Sequence, residues 1–267
     1  MPQITNKNTK KLIVFNWKMN PTSLEEAKKL FAFILTPKTS ALPAGRYNLK
    51  PNLVICPPFI YSPIFSSVSG HQSSVKLGAQ DSFWENSGAY TGEISAAMLK
   101  NLGVKYVIVG HSERRNYLGE TDEMINKKVK SALGAGLKVI LCVGESLKIR
   151  KKAKKVIKNF IKNQLQKDLK GLSRVKSQKS NVIVAYEPRW AIGTGNYCQP
   201  EDALEIIKFI KNFLNSKFII HNSRVLYGGS VTGKNIKEYL KFKEIDGVLV
   251  GGASVNQKEL KRILNII

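Results

Sequence analysis

Eight short apolar runs recur along the chain, each followed by a segment with helical spacing. They lie at 11–16, 52–56, 75–80, 106–110, 138–143, 182–187, 224–227 and 247–250. A strand with one wet face alternates apolar and polar residues, whereas a strand covered on both faces need not. Unbroken runs such as Val182-Ile183-Val184 therefore predict parallel strands buried between two layers. Helical patterns fill the intervals at 23–35, 60–68, 94–102, 122–133, 147–169, 200–215, 233–240 and 256–266. Thr121-Asp122-Glu123 marks one helix start, and Ser254 is expected to cap the last helix. Eight strand–helix units in about 250 residues is the rhythm of a closed (β/α)8 barrel. The expected organisation is α/β, one barrel domain over residues 1–267, with residues 1–10 a polar extension. An open doubly wound sheet is the competing arrangement, but no Gly-x-Gly-x-x-Gly follows the first strand. The polar linker 38–50 reads as a loop at the end of the barrel away from the chemistry.

In such a barrel the chemistry belongs to the loops that follow the strands. The first run leads into Asn16-Trp17-Lys18, the fourth into Gly110-His111-Ser112-Glu113, and the sixth ends on Glu187. The seventh and eighth lead into Gly228-Gly229-Ser230 and Gly251-Gly252-Ala253. Polar and glycine residues thus converge on one rim. Glu187 sits at the tip of a buried strand, badly placed for packing and well placed to abstract a proton. Pro188 fixes the turn after it, and Gly193 and Gly195 leave backbone N–H groups free to approach an anion. His111 stands at a helix start, whose N–H groups disfavour an imidazolium. His71 and His221 have no such company and are assigned to loops.

Composition excludes several classes. No run of about 18 apolar residues is present, so a membrane span is not expected. Residues 1–11 lack the apolar stretch of a secretory signal. Cys56, Cys142 and Cys198 are odd in number and far apart, with no metal or redox spacing, which fits a reducing cytoplasm. The formal charge of +24 rests on 43 Lys and Arg against 19 Asp and Glu. It is carried mainly by lysine, whereas nucleic-acid readers lean on arginine. Its densest cluster, 148–162, interleaves with Ile149, Ala153, Val156, Ile157, Phe160 and Ile161, continuing to Leu165 and Leu169. That spacing predicts one amphipathic helix with a cationic, solvated outer face, remote from the chemistry. Nucleic acid is not the expected partner; adhesion to an anionic polymer and attraction of an anionic substrate are the functional alternatives.

With those residues in place, the chain resembles the triosephosphate isomerase family over nearly its whole length. The matching segments are 16–20 (NWKMN), 88–93 (GAYTGE), 109–115 (VGHSERR), 141–145 (LCVGE), 186–188 (YEP), 190–195 (WAIGTG), 227–231 (YGGSV) and 249–254 (LVGGAS). The resemblance implies interconversion of dihydroxyacetone phosphate and glyceraldehyde 3-phosphate in glycolysis and gluconeogenesis, without metal or organic cofactor. It casts Glu187 as the base, His111 as the donor to the substrate oxygens, and Lys18 and Asn16 as stabilisers of the oxyanion. Glu113 would hold Lys18. Gly193, Ser230, Gly251 and Gly252 would grip the phosphate through N–H groups. Pro188, Arg189, Trp190, Ala191, Ile192, Thr194 and Gly195 would form a lid that Tyr227 and Ser230 fasten when closed, with Gly195 the partner of Ser230. A closed lid shuts out water and keeps the enediolate intermediate from losing its phosphate. Other phosphate-binding barrel enzymes, of aldolase or epimerase type, are the nearest rivals.

Two departures stand out. Arg189 occupies the first lid hinge, where the family usually has an aliphatic residue, and is expected to alter opening kinetics. The second hinge, Asn196-Tyr197-Cys198, is bulkier than the usual small set. The resemblance also implies a homodimer, with 80–93 as a long third loop whose Thr91 and Glu93 reach a neighbouring subunit near Lys18. Phe83, Trp84 and Tyr90 suit an interface better than a solvated loop.

Overall fold

Successive residues of each strand go to opposite sides of one closed wall. In β1 (Leu12–Asn16), Leu12 and Val14 join an inner cluster with Val54, Ile108, Ile140 and Leu249, while Ile13 and Phe15 join the outer core beneath the helices. Both sides are apolar, which is why the runs do not alternate. The remaining strands are β2 (Asn52–Cys56), β3 (Val75–Ala79), β4 (Tyr106–Val109), β5 (Lys138–Val143), β6 (Val182–Tyr186), β7 (Arg224–Tyr227) and β8 (Gly247–Val250). Each pairs in parallel with the next, and β8 returns to β1 through Gly247↔Leu12. In this computed structural model residues 10–35, 52–69, 75–172, 181–192, 197–218, 220 and 223–267 are described. The extension to residue 9, the 38–50 linker, His71, His221, the expected lid residues Gly193, Thr194 and Gly195, and the hinge residue Asn196 lie outside them.

Helices cover the outer face: α1 (Leu24–Leu35), α2 (Ser62–Ser69), α3 (Ala96–Asn101), α4 (Ser112–Tyr117), α5 (Asp122–Gly134), α6 (Leu147–Arg150), α7 (Lys154–Asp168), α8 (Pro200–Phe218), α9 (Ile236–Leu240) and α10 (Gln257–Ile266). Their starts follow capping chemistry. Thr121 accepts from the Met124 N–H at the head of α5, and acids Asp122 and Glu123 follow. Helix α5 then turns Ile125, Val129, Ala132 and Leu133 into the core. Burying each larger aliphatic is worth about 1.5–3 kcal/mol against leaving it in water.

Two expectations are corrected here. The 147–169 pattern is two helices, not one: α6 ends at Arg150 with Lys151 as its C-cap, and Ala153 is extended before α7 begins. The apolar spacing runs through the break, but the two pieces pack against different neighbours. Ile157, Ile161, Leu165 and Leu169 are buried in the outer core, while Arg150 of α6 lies 5.0 Å over the Trp190 ring and pairs with Asp202. The cationic segment is therefore not remote from the rim. Nor does Ser254 cap the last helix. Asn256 does so, accepting from the Glu259 N–H, and the Ser254 hydroxyl turns inward to donate to the Gly251 carbonyl at 2.7 Å. Asn256 is extended, the backbone an N-cap needs, whereas Ser254 closes a 3-10 turn.

Candidate active site

The site is assembled where β1, β4, β6, β7 and β8 end. Asn16 is the last residue of β1 and is buried. Its side-chain carbonyl accepts the Lys18 N–H at 3.0 Å, and Lys18 itself has a left-handed backbone, φ 55°. A non-glycine residue there costs of order 1–3 kcal/mol and persists only where its surroundings impose it. Here Asn16 holds its N–H and Gln80 its carbonyl: the Gln80 amide donates to the Lys18 carbonyl at 2.8 Å and to the Cys56 carbonyl at 2.9 Å. The Lys18 ammonium is thereby delivered to Glu113, with which it forms a short ion pair.

His111 is the N-cap of α4, and its Nδ1 accepts from the Glu113 N–H at 3.3 Å. An accepting Nδ1 carries no proton, so Nε2 is the donor. That Nε2 lies 3.3 Å from Oε1 of Glu187, on the next residue after β6. The other oxygen of Glu187 accepts the Ser112 N–H at 3.0 Å. Oε1 is off the line of the imidazole N–H and has no hydrogen-bond partner among the described residues, though Glu187 is 1% exposed. Two glycines make room for Glu187, one for its backbone and one for its side chain. A Cβ on Gly144 would fall 1.6 Å from the Glu187 carbonyl oxygen, and one on Gly228 would fall 2.9 Å from its Cγ. Behind it lies Cys142, whose thiol burial and the neighbouring carboxylate hold well above its ordinary value.

One cavity is lined by Asn16, Lys18, His111 and Glu187 together with Gly228, Gly229, Ser230, Gly251, Gly252 and Ala253. Ile192, in the segment expected to form the lid, also lines it, with Val231, Thr232 and Leu249. Gly252–Ser254 is a single 3-10 turn opening at Gly251. The first N–H groups of such a turn have no partner within it.

The segments that flank the expected lid are fastened to the barrel. Ser230 Oγ donates to the Ala191 carbonyl at 2.6 Å; the expected partner, Gly195, lies outside the described residues. The Cys198 N–H donates to the Tyr227 hydroxyl at 3.3 Å. Tyr227 stacks on Tyr239, which in turn donates to the Cys198 carbonyl at 2.6 Å. Burial pushes the Tyr227 phenol up, keeping it protonated. Trp190 Nε1 donates to Glu145 at 2.9 Å, and Tyr186 donates to the same carboxylate at 3.1 Å. Burial raises the Glu145 carboxyl, and these donors partly offset it.

Sequence reasoning assigned no part to Gln80, Ser112, Glu145 or Thr232. Gln80 and Glu145 carried a usable signal, each a polar residue just after a buried strand. The Ser112 contribution is a backbone N–H and leaves no trace in residue type. Thr91 and Glu93 lie exposed on the third loop, away from the cavity of their own chain. Phe83 stacks on Trp84 at 4.0 Å and meets Tyr90 at 4.7 Å, so the loop's rings pack on one another.

Comparison with known proteins agrees with this geometry. The family model described as triosephosphate isomerase matches residues 11–267. The chain is 45% identical over 258 residues to the triosephosphate isomerase of Thermoanaerobacter pseudethanolicus, covering 95% of this chain and 98% of that one. It is 44% identical over 258 residues to that of Dictyoglomus thermophilum (96% and 98% covered) and 43% identical over 256 residues to that of Trichodesmium erythraeum (96% and 98%). On this match, which spans the barrel from β1 to α10, the chain belongs to the triosephosphate isomerase family.

Proposed function

We propose that this chain interconverts dihydroxyacetone phosphate and D-glyceraldehyde 3-phosphate, with Glu187 as the base. The observation that carries the reading is the buried Glu187 carboxylate with one oxygen unbonded, 3.3 Å from the imidazole Nε2. A group so placed can take a proton from the carbon beside a carbonyl. His111 Nε2–H and the Lys18 ammonium face the oxygen on which charge then develops. Donors fixed in advance cost no reorganisation as that charge forms. His111 passes a proton between the two oxygens of the enediolate, and Glu187 returns its proton to the neighbouring carbon. The balance is one of protons alone, an internal exchange between aldehyde and ketone. Ser230, Gly251 and Gly252 hold the phosphate, together with Gly193 of the lid.

The decisive experiment is isomerisation of glyceraldehyde 3-phosphate in deuterated water, followed by coupled assay and NMR. Deuterium at carbon 1 of the dihydroxyacetone phosphate formed is expected. Turnover without any solvent exchange across a range of concentrations would favour hydride transfer and sink the base assignment. Absence of turnover would sink the whole reading.

A homodimer belongs to the same proposal. Met19, Tyr117 and Leu118 are 90%, 81% and 62% exposed, and all three line a second hollow that reaches Lys18 and His111. Apolar surface beside a catalytic group asks for a cover. The third loop of a second copy, with Thr91 and Glu93, would supply it. Sedimentation should give twice the chain mass, and a fully active monomer would refute the pairing. A cytoplasmic setting accords with the free, buried Cys56, Cys142 and Cys198. No helix among the described residues is long and apolar enough to cross a membrane.

A further inference from the structure

Helix α4 touches the exit of β6 at two points one turn apart. Ser112 and Asn116 are four residues apart, on one face of the helix. The Ser112 N–H donates to Glu187, and Asn116 Oδ1 accepts from Arg189 Nη1 at 2.7 Å. Arg189 opens the 3-10 turn that begins the lid, and its own N–H is fixed to the Glu145 carbonyl at 3.0 Å. The hinge peptide is thus anchored on one side while its side chain reaches across to the other.

The guanidinium is badly housed for any other purpose. It is half-buried, and its Nε is buried with no hydrogen-bond partner among the described residues. Arg115 is a like-charged neighbour already committed to Asp122 and Asp168, and Glu145 is the opposing charge on the other side. An aliphatic side chain would fill this place without desolvating a charge. Among the described residues, the hydrogen bond that offsets this cost is the one to Asn116.

We propose that Arg189 is a positioning residue: its bridge to Asn116 latches the first turn of the lid to the helix that carries His111, and so lengthens the time the lid stays down. This rests on the isomerase reading above. The bridge is a charge-assisted hydrogen bond that an aliphatic hinge lacks, and on this proposal it breaks when the lid opens. The latch protects the enediolate from phosphate loss and slows product release.

The test uses the full chain labelled with 5-fluorotryptophan, so that the Trp190 resonance reports lid exchange by fluorine NMR. Inorganic phosphate released per isomerisation is the second readout. Asn116→Ala and Arg189→Met should each speed lid exchange roughly two- to fivefold, the scale of a partly exposed ionic contact. Both should release more phosphate per turnover, and the double variant should do no more than either single one. Asn116→Asp, with a full charge opposite Arg189, should slow exchange. Asn116 is exposed, so its variants should fold. Unchanged exchange and phosphate release in both Asn116 variants, or additive effects in the double variant, would overturn the latch. Wild type that isomerises triose phosphate while the variants behave identically removes the latch alone; wild type without turnover removes the functional reading.

Discussion

His111 and Glu187 are held face to face by the same helix end. The imidazole Nε2 stands 3.3 Å from Oε1, while the α4 backbone takes the far atom of each side chain, Nδ1 by the Glu113 N–H and Oε2 by the Ser112 N–H. Two consecutive N–H groups at one helix start therefore orient the proposed acid and the proposed base. Neither side chain can rotate without losing a backbone donor.

Glu187→Asp should keep the fold and lose most of the rate. Shortening the side chain by one methylene either breaks the Ser112 contact or draws the free oxygen back from the substrate carbon. A misplacement of about 1 Å can cost on the order of a hundredfold. The expected result in a coupled assay is a fall in kcat of that size with KM little changed, because the phosphate grip is elsewhere. Equal kcat values would remove Glu187 from the base role.

Glu145 should prove to be a lid residue despite its distance from the substrate. Its carboxylate accepts from Trp190 Nε1 and the Tyr186 hydroxyl. Glu145→Leu would take the acceptor from the buried Tyr186 hydroxyl, worth about 1–3 kcal/mol, and from the half-buried Trp190 indole N–H. The lid is expected to spend more time open, with kcat lowered and KM raised together. Glu145→Gln, which still offers a carbonyl to the indole, should recover part of both. A Leu variant with wild-type kcat and KM would show that the Trp190 contact is incidental.

Much of this was legible in the residues. The apolar runs gave the barrel because both sides of its wall are dry, and Asn16, Lys18, His111 and Glu187 each end or closely follow such a run. Their meeting at one mouth follows from strands that all point the same way. What stayed hidden depends on partners distant in the chain. The break between α6 and α7 occurs at Lys151-Lys152-Ala153, where the apolar spacing continues but the neighbours change. Gln80 acts on a backbone carbonyl 62 residues away, and no residue pattern records that. Arg189 was visible as unusual, but its destination, Asn116, required the fold.

A buried ionic cluster beneath the third loop should dominate the response of stability to mutation. Lys128 donates to Asp81 at 2.6 Å and pairs with Glu120; Arg114 bonds the same two acids, at 2.9 and 2.6 Å. Lys128→Met removes one cation and leaves two buried carboxylates beside a single arginine. Breaking such a group typically costs about 3–5 kcal/mol. Burial, more than any other influence, already raises Asp81 to about 6, and losing Lys128 must raise it further. A carboxyl raised in the fold binds its proton more tightly folded than unfolded. Its penalty is therefore full above the folded value and relieved as the pH falls toward the unfolded one, about 3.9. Urea denaturation should show the variant's deficit smaller at pH 5 than at pH 8. A deficit independent of pH would mean that the cluster is not the source of the loss.

The surplus of 43 basic over 19 acidic residues should appear in the encounter with substrate. The substrate is a phosphate anion, and the chain's field attracts it from beyond contact distance. Part of that field lies at the rim. Lys148, Lys151 and Lys152 are exposed, and Arg150 between them rests on the lid's Trp190. Raising ionic strength from about 0.01 to about 1 M shortens the screening length from about 30 to about 3 Å. With potassium chloride, kcat/KM should fall several-fold while kcat holds, since screening acts on approach and not on the enclosed chemistry. Lys151→Glu with Lys152→Glu should flatten that dependence without changing kcat, as neither side chain lines the cavity. If kcat/KM were as flat in salt for the wild type as for this variant, the charge would have no part in substrate capture. If instead kcat fell with salt, the cations would be acting on the lid through α6, and the Trp190 resonance would move with it.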